Sequence, residues 1–291
     1  MVDVRSHDPG WPDAGSTVVG VIGDPVAHSL SPTLHNAAFA ALGLNWISVG
    51  FEVAAERFAA ALEGMRALNV AGLSVTMPHK ADAAATVDEC SAVAARLGAV
   101  NCISNRDGVL YGDNTDGEGF LASLVRAASF DPARKRCLVV GAGGAARAVT
   151  LALADGGAAS VTVVNRTATR AIEVAALAGP VGRAAGISDG LDALVGEADL
   201  VVNATPVGME GAGSAKDGGL IAPSLLHEGQ VVVDLVYVPR PTPWLAAAGA
   251  RGATTVDGLG MLVYQAAAQL ELWTGLPAPV EVMWRAVTGA V

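Results

Sequence analysis

The chain has 291 residues, 52% hydrophobic and 16% charged, with a formal net charge of −10. That length admits about two domains with a sizeable core, and the composition excludes a disordered chain. An acidic surface without a basic stripe or Arg-rich arm repels polyphosphate, so no nucleic-acid partner is expected.

The opening MVDVRSHDPGWPDAGS has no basic region followed by an apolar core, so it reads as a loose tail over residues 1–16 rather than a signal peptide. From Val18 onward, short β-rich runs alternate with helical segments. VVGVIG predicts a strand, and Ser31-Pro32 opens a helix, with serine in the capping position and proline at the first turn. WISVGF predicts a second strand, AERFAAALEGMRALN a helix with apolar residues at helical spacing, and AGLSVTM a third strand. In AVNCISNRDGVLYGDNTDG the turn pair Asp107-Gly108 predicts a hairpin, so the first half reads as an α/β unit with a mixed sheet.

The pattern restarts at Cys137. CLVVGAGGAARAVTLALADGGAASVTVVNRT reads as strand, Gly-rich turn, helix and strand, the opening of a doubly wound dinucleotide-binding domain. Further strands are expected at ADLVVNATP and QVVVDLV, and the chain beyond Asp257 reads as helical. The expected division is a first domain over 1–115, a dinucleotide-binding domain over 116–257, and C-terminal helices over 258–291 returning to the first domain. No stretch of about 18 residues is free of strongly polar groups, so no membrane-spanning helix is expected. Cys90, Cys102 and Cys137 are odd in number and form no CxxC pair, which fits reduced thiols in a cytoplasmic protein rather than disulfides or structural zinc.

Gly141, Gly143 and Ala146 match the G-x-G-x-x-G/A fingerprint between a strand and a helix, where backbone N–H groups meet a pyrophosphate. The ribose-binding carboxylate expected for NAD is replaced by VVNRTATR. There Asn165, Arg166 and Thr167 can donate to a 2'-phosphate, with Arg170 one turn beyond, so the pattern favours NADP.

In the first half, Ser29 and Ser31 flank a leucine before a helix; their hydroxyls read either as a cap or as a carboxylate site. Thr76 stands at a strand end and Lys80 in the turn that follows. Lysine occurs only at Lys80, Lys135 and Lys216, all other basic side chains being arginine or histidine. An amine can release a proton where a guanidinium effectively cannot, so Lys80 is a candidate for proton transfer. Asn101 and the loop Asp113-Asn114-Thr115-Asp116 read as turn chemistry, with one carboxylate able to face a ligand near the junction of the halves. His28, His35, His79 and His227 show no metal-ligand spacing, so no metal is assigned. His79 is expected as a partly exposed turn residue.

Taken in order, GVIGDPVAHSLSPTLHN, GLSVTMPHK, GAVN, GDNTDGEGF, GAGGAAR with NRT, NATPVGM, DLVYVPRPTPWL and DGLGMLVYQAAAQLELWTG resemble the shikimate dehydrogenase family, which includes quinate dehydrogenases. The resemblance runs from about Val18 to the C-terminal helices. It implies NADP-dependent, reversible reduction of 3-dehydroshikimate to shikimate, in chorismate and aromatic amino-acid biosynthesis. It further implies Lys80 and Asp116 as the catalytic pair, with Ser29 and Ser31 on the substrate carboxylate. Thr76, Asn101 and Gln265 would bind ring hydroxyls and Tyr237 would close the pocket. Gly141, Ala142, Gly143, Gly144, Ala145 and Ala146 would cradle the pyrophosphate. Asn165, Arg166, Thr167 and Arg170 would hold the adenosine end, and Leu235 and Gly258 would complete the cofactor contacts. Ser74 departs from the asparagine common in the family, offering a shorter side chain with fewer donors. The implied partners are a small-molecule substrate and, as family members vary, either no second copy or one. A quinate dehydrogenase and a shikimate-binding sensor without turnover are the alternatives; retention of Lys80 and Asp116 speaks against the sensor.

Overall fold

The computed structural model describes residues 12–187, 190–209 and 221–289. Most of the tail expected to be loose, and Lys216, lie outside these. The chain forms two compact units, one running to Thr115 and resuming at Ala266, the other spanning Asp116–Gln265.

The first unit contains β1 (Thr17–Gly23), α1 (Ser31–Leu42), β2 (Trp46–Glu52), α2 (Phe58–Ala67), β3 (Gly72–Val75), α3 (Lys80–Thr86), β4 (Glu89–Cys90), α4 (Ala92–Leu97), β5 (Cys102–Arg106) and β6 (Val109–Asp113). Its sheet has the order β2-β1-β3-β5-β6-β4. β1 is parallel to β2 and β3, whereas β5 is antiparallel to both β3 and β6, giving the expected mixed sheet. Asp107 and Gly108 both have positive φ (53° and 88°), the conformation that a tight hairpin turn requires.

Alternation along β3 sends Leu73 and Val75 to one face, where they join Phe58, Leu62 and Met65 of α2. Gly72 belongs to the other face, where a Cβ would lie 2.4 Å from the Trp273 indole nitrogen. That nitrogen donates to the Ile103 carbonyl at 3.0 Å, so the ring lies directly on the strand and leaves room for glycine alone. At the sheet edge, the Asn36 side chain accepts from the Ser48 N–H at 2.7 Å and donates to its carbonyl at 2.9 Å. It thereby occupies main-chain groups that an edge strand would otherwise offer to another chain.

The second unit contains α5 (Asp116–Ala128), β7 (Arg136–Val140), α6 (Gly144–Asp155), β8 (Ser160–Val164), α7 (Ala168–Ala175), β9 (Gly182–Ala185), α8 (Leu191–Glu197), β10 (Leu200–Asn203), β11 (Val231–Asp234), α9 (Pro243–Ala250) and β12 (Thr254–Asp257). α10 (Leu259–Thr274) begins in this unit and ends in the first, where α11 (Val280–Thr288) packs on α1. The sheet order is β12-β11-β10-β7-β8-β9, parallel throughout. Helices cover both faces, which is why β7, β10 and β11 read as near-continuous apolar runs. Strand order reverses between β7 and β10, the place where doubly wound sheets bind dinucleotides.

Two short strands, β9 (GRAA) and β12 (TTVD), form the edges of this sheet and were not expected from the sequence. Edge strands are paired on one side only and need no apolar run to be stable. Among the described residues, no helix is long and apolar enough to cross a membrane.

His35 of α1 is fully buried, with Nε2 3.2 Å from the Ala266 carbonyl and its ring edge-on to Trp273 at 4.8 Å. A carbonyl only accepts, so Nε2 carries the proton, and Nδ1 has no partner. Burial lowers the imidazole pKa from 6.5 to about 4, outweighing the opposing effect of the Ala266 bond. Between these values the unfolded chain binds a proton that the native state does not, so stability falls as pH drops from about 6.5 towards 4. The full loss is on the order of 3 kcal/mol, at about 1.4 kcal/mol per pH unit. Urea melts of wild type and His35→Phe across this range should show a shallower pH slope in the variant, by close to one proton. Parallel slopes would refute the assignment.

Candidate active site

At one end of the first sheet, three loops are stitched together by their peptide groups. The Thr76 N–H donates to the Ile22 carbonyl and the Asp24 N–H to the Met77 carbonyl, each at 3.0 Å, joining the loops after β1 and β3. The Val75 N–H donates to the Asn101 carbonyl at 2.7 Å and the Val100 N–H to the Lys80 carbonyl at 2.9 Å, joining both to the segment before β5. Ser29, Ser31, Thr76, Lys80 and Asn101 all belong to these three segments. Residues spread over more than seventy positions are thus gathered by a handful of main-chain bonds.

Ser31 is buried but does not cap α1. Leu30 holds the capping position without a side-chain bond to the helix end, and Ser31 is the first helical residue. The capping alternative for Ser31 is therefore corrected. Ser29 Oγ instead accepts the Ser31 N–H at 3.3 Å. Lys80 is the first residue of α3 and half-buried. Asn101 is buried, its Oδ1 accepting the Thr115 N–H at 2.8 Å and its Nδ2 donating to Thr115 Oγ1 at 3.0 Å. From the other side, Gln269 of α10 donates to the Asn101 carbonyl at 3.0 Å. Ser74 is 5% exposed, and its hydroxyl has no hydrogen-bond partner among the described residues.

His79 differs from expectation. It is fully buried, with Nε2 2.7 Å from the Val53 carbonyl and its ring stacked on Phe58 at 4.6 Å. The turn points it inward because Phe58, at the start of α2, offers an aromatic face beneath the strand end.

In the second unit, Asp116 is the first residue of α5 and is buried. Two glycines hold that helix end close to its neighbours. A Cβ on Gly117 would lie 3.0 Å from Ala152 Cβ of α6, and one on Gly119 would lie 2.6 Å from the Gln265 nitrogen of α10. Gln265 donates from Nε2 to the Leu262 carbonyl at 2.9 Å.

The Gly-rich loop connects β7 to α6. Gly141 has φ 119°, and a Cβ there would lie 2.8 Å from the Ala204 carbonyl beyond β10. Gly143 stands at the α6 N-terminus with no side-chain cap, and nothing lies within 4 Å of where its Cβ would be. Open space before an uncapped helix N-terminus suits a pyrophosphate. Past β8, Asn165 donates to the Thr167 carbonyl at 3.1 Å, and Arg166, Thr167 and Arg170 are exposed. No carboxylate pairs with Arg166 or Arg170 among the described residues, so both guanidinium groups are available to a phosphate. Leu235 and Gly258 adjoin, a Gly258 Cβ falling 2.0 Å from the Leu235 carbonyl. Tyr237 is half-buried, which raises its phenol pKa.

A buried network behind this loop was not read from the sequence. The Asp234 carboxylate, ending β11, accepts from Asn203 Nδ2 at 2.9 Å, Thr242 Oγ1 at 2.7 Å and the Val236 N–H at 3.1 Å. Asn203 Oδ1 in turn accepts from the Thr205 N–H and hydroxyl, and Thr205 packs its methyl against Gly141. Burial raises the Asp234 pKa against the opposing effect of these donors. A carboxylate closing the run VVVD was the available signal. Cys102 and Cys137 are buried thiols, the latter pushed up to about 12 by burial, and so are chemically quiet.

The chain matches the model for the shikimate dehydrogenase substrate binding domain over residues 21–103. It also matches shikimate / quinate 5-dehydrogenase over 124–239 and the shikimate 5'-dehydrogenase C-terminal domain over 258–288. It is 48% identical over 284 residues to the shikimate dehydrogenase (NADP(+)) of Moorella thermoacetica, covering 96% of this chain and 95% of the relative. The corresponding protein of Methanopyrus kandleri is 46% identical over 280 residues, covering 94% and 96%. The crystal structure of Thermus thermophilus shikimate 5-dehydrogenase in complex with NADP(H) and shikimate superposes with a TM-score of 0.85 at 38% identity, covering 94% of this chain and all of that one. With the fold, the loop chemistry and the near-full-length likeness in agreement, the chain belongs to the shikimate dehydrogenase family.

Proposed function

We propose that the chain catalyses the reversible, NADP-dependent interconversion of 3-dehydroshikimate and shikimate, with Lys80 as the proton donor. The observation that carries this reading is the stitched end of the first sheet. One lysine opens α3 there, and peptide-group bonds join its segment to those that carry Ser29, Ser31, Thr76 and Asn101. Such a set suits a small acid carrying several hydroxyls: the two serines take the carboxylate, Thr76 and Asn101 take ring hydroxyls, and Gln265 and Tyr237 are the further substrate residues of this proposal.

NADPH, held by the Gly141–Ala146 turn and the Asn165–Arg170 segment, would supply the hydride chemistry. The protein's share is position and a proton. The Lys80 ammonium delivers its proton to the oxygen as the carbon–oxygen double bond becomes single, and it recovers one from solvent. In the oxidising direction the same nitrogen, unprotonated, accepts the hydroxyl proton. Asp116 is the other member of the proposed catalytic pair. An amine can alternate between these states where a guanidinium effectively cannot, which accounts for a lysine in a chain that otherwise prefers arginine.

Asn165, Arg166, Thr167 and Arg170 hold the 2'-phosphate end. Arg166 is exposed next to β8, where a carboxylate would instead bind an unphosphorylated ribose. Protein action at this site is binding and orientation alone.

Following NADP reduction with shikimate, Lys80→Ala should lower kcat about 10²–10⁴-fold, the usual worth of general acid–base assistance. NADP binding, read by fluorescence, should persist. Near-full turnover in the variant would sink the assignment. Arg166→Ala should weaken NADPH about 10–100-fold, the worth of one or two charge-assisted bonds, and leave NADH nearly unchanged. Equal weakening of both cofactors would show that Arg166 does not meet the 2'-phosphate. Quinate run alongside shikimate tests whether Ser74 broadens the substrate range.

A further inference from the structure

We propose that His79 is a positioning residue for Lys80, holding the start of α3 through the Val53 carbonyl. The proposal rests on the reading of Lys80 as proton donor and concerns the residue immediately before it.

α3 spans seven residues and has no side-chain cap at its N-terminus. Such a helix has little stability of its own and takes its direction from what it is fastened to. His79 is the fastening. Its N–H donates to the Thr76 carbonyl at 3.0 Å, closing the turn after β3, and its carbonyl accepts the Ala83 N–H at 2.8 Å, closing the first turn of α3. Its side chain adds a link that the backbone cannot supply. Nε2 donates to the Val53 carbonyl at 2.7 Å, and the ring stacks on Phe58 with an interplanar angle of 15°.

Val53 is itself tied down, its N–H donating to the Gly23 carbonyl at 3.0 Å. A Cβ on Gly23 would lie 2.4 Å from the Thr76 methyl. The imidazole therefore connects the helix that begins at Lys80 to the ends of both β1 and β2. Volume alone does not account for a histidine here. A phenylalanine would fill the same space against Phe58 but would leave the half-buried Val53 carbonyl without its donor. The His79 Nδ1 is also buried and has no partner. A residue chosen only for packing would not bring that uncompensated nitrogen into the core, so the donor at Nε2 is what the position selects.

The geometry separates two amide replacements. Glutamine can place its Nε2 donor near the Val53 carbonyl, whereas the shorter asparagine falls short. The test is turnover of shikimate with NADP by His79→Gln, His79→Asn and His79→Phe, each with NADP affinity measured by fluorescence. Expected is kcat within about threefold of wild type for Gln, and a loss of about tenfold or more for Asn and Phe. A shift of order 1 Å in a reacting group can cost up to about 10²-fold. NADP affinity should stay within about twofold throughout.

His79→Phe is also combined with Lys80→Ala. If His79 acts through Lys80, its removal costs nothing further in that background. Equal kcat for the Gln and Asn variants, or an undiminished loss in the Lys80→Ala background, would overturn the proposal. Wild-type turnover by Lys80→Ala alone would instead remove the reading of Lys80, and the positioning role with it.

Discussion

A peptide group that leaves a buried strand must find a hydrogen-bond partner at once, and in this chain that requirement builds the site. Where β1 and β3 end, the Thr76, Asp24, Val75 and Val100 N–H groups cross between loops, and the residues with chemistry to offer are carried along. Each crossing bond lies at 2.7–3.0 Å. The side chains of Ser29, Thr76 and Lys80 therefore start from fixed backbone positions. Preorganisation here is a property of the main chain, and the side chains inherit it.

The second unit solves the same problem with a carboxylate. The loops after β10 and β11 leave the sheet beside the Gly-rich turn, and Asp234 fastens both by accepting from Asn203, Thr242 and the Val236 N–H. A buried charge is costly unless several donors face it, and three do. A loop rim held by a buried charge network is stiff without being apolar. That leaves the Gly141 turn free to present N–H groups rather than side chains. The −10 net charge of the chain makes such local donors necessary, since long-range attraction for an anionic cofactor is lacking.

Much of this was legible before the coordinates. The apolar runs that became β7, β10 and β11 are continuous because both their faces are covered. The Gly141–Ala146 turn and the Asp107–Gly108 hairpin are written in residues that tolerate their backbone angles. What escaped was decided by tertiary neighbours. β9 and β12 are edge strands whose sequences, GRAA and TTVD, carry no apolar run, so pairing alone defines them. His79 looked like a turn residue because nothing local reveals Phe58 waiting beneath it. Ser31 carries the residue type of a cap, yet the chain enters α1 one residue earlier through Leu30. Asp234 ends an apolar strand, and its three donors come from residues 203, 236 and 242, which only folding brings to it.

The paired glycines of DGEGF have an effect that reaches beyond packing. Gly117 abuts α6, the helix that the cofactor loop opens, and Gly119 abuts the Gln265 backbone in α10. The start of α5, where Asp116 stands, is consequently held close to both α6 and α10. Neither glycine has a functional group, yet each fixes a clearance that no other side chain preserves. In a map of mutational tolerance these two silent positions would stand beside the reactive residues, and intolerance alone would not tell chemistry from clearance.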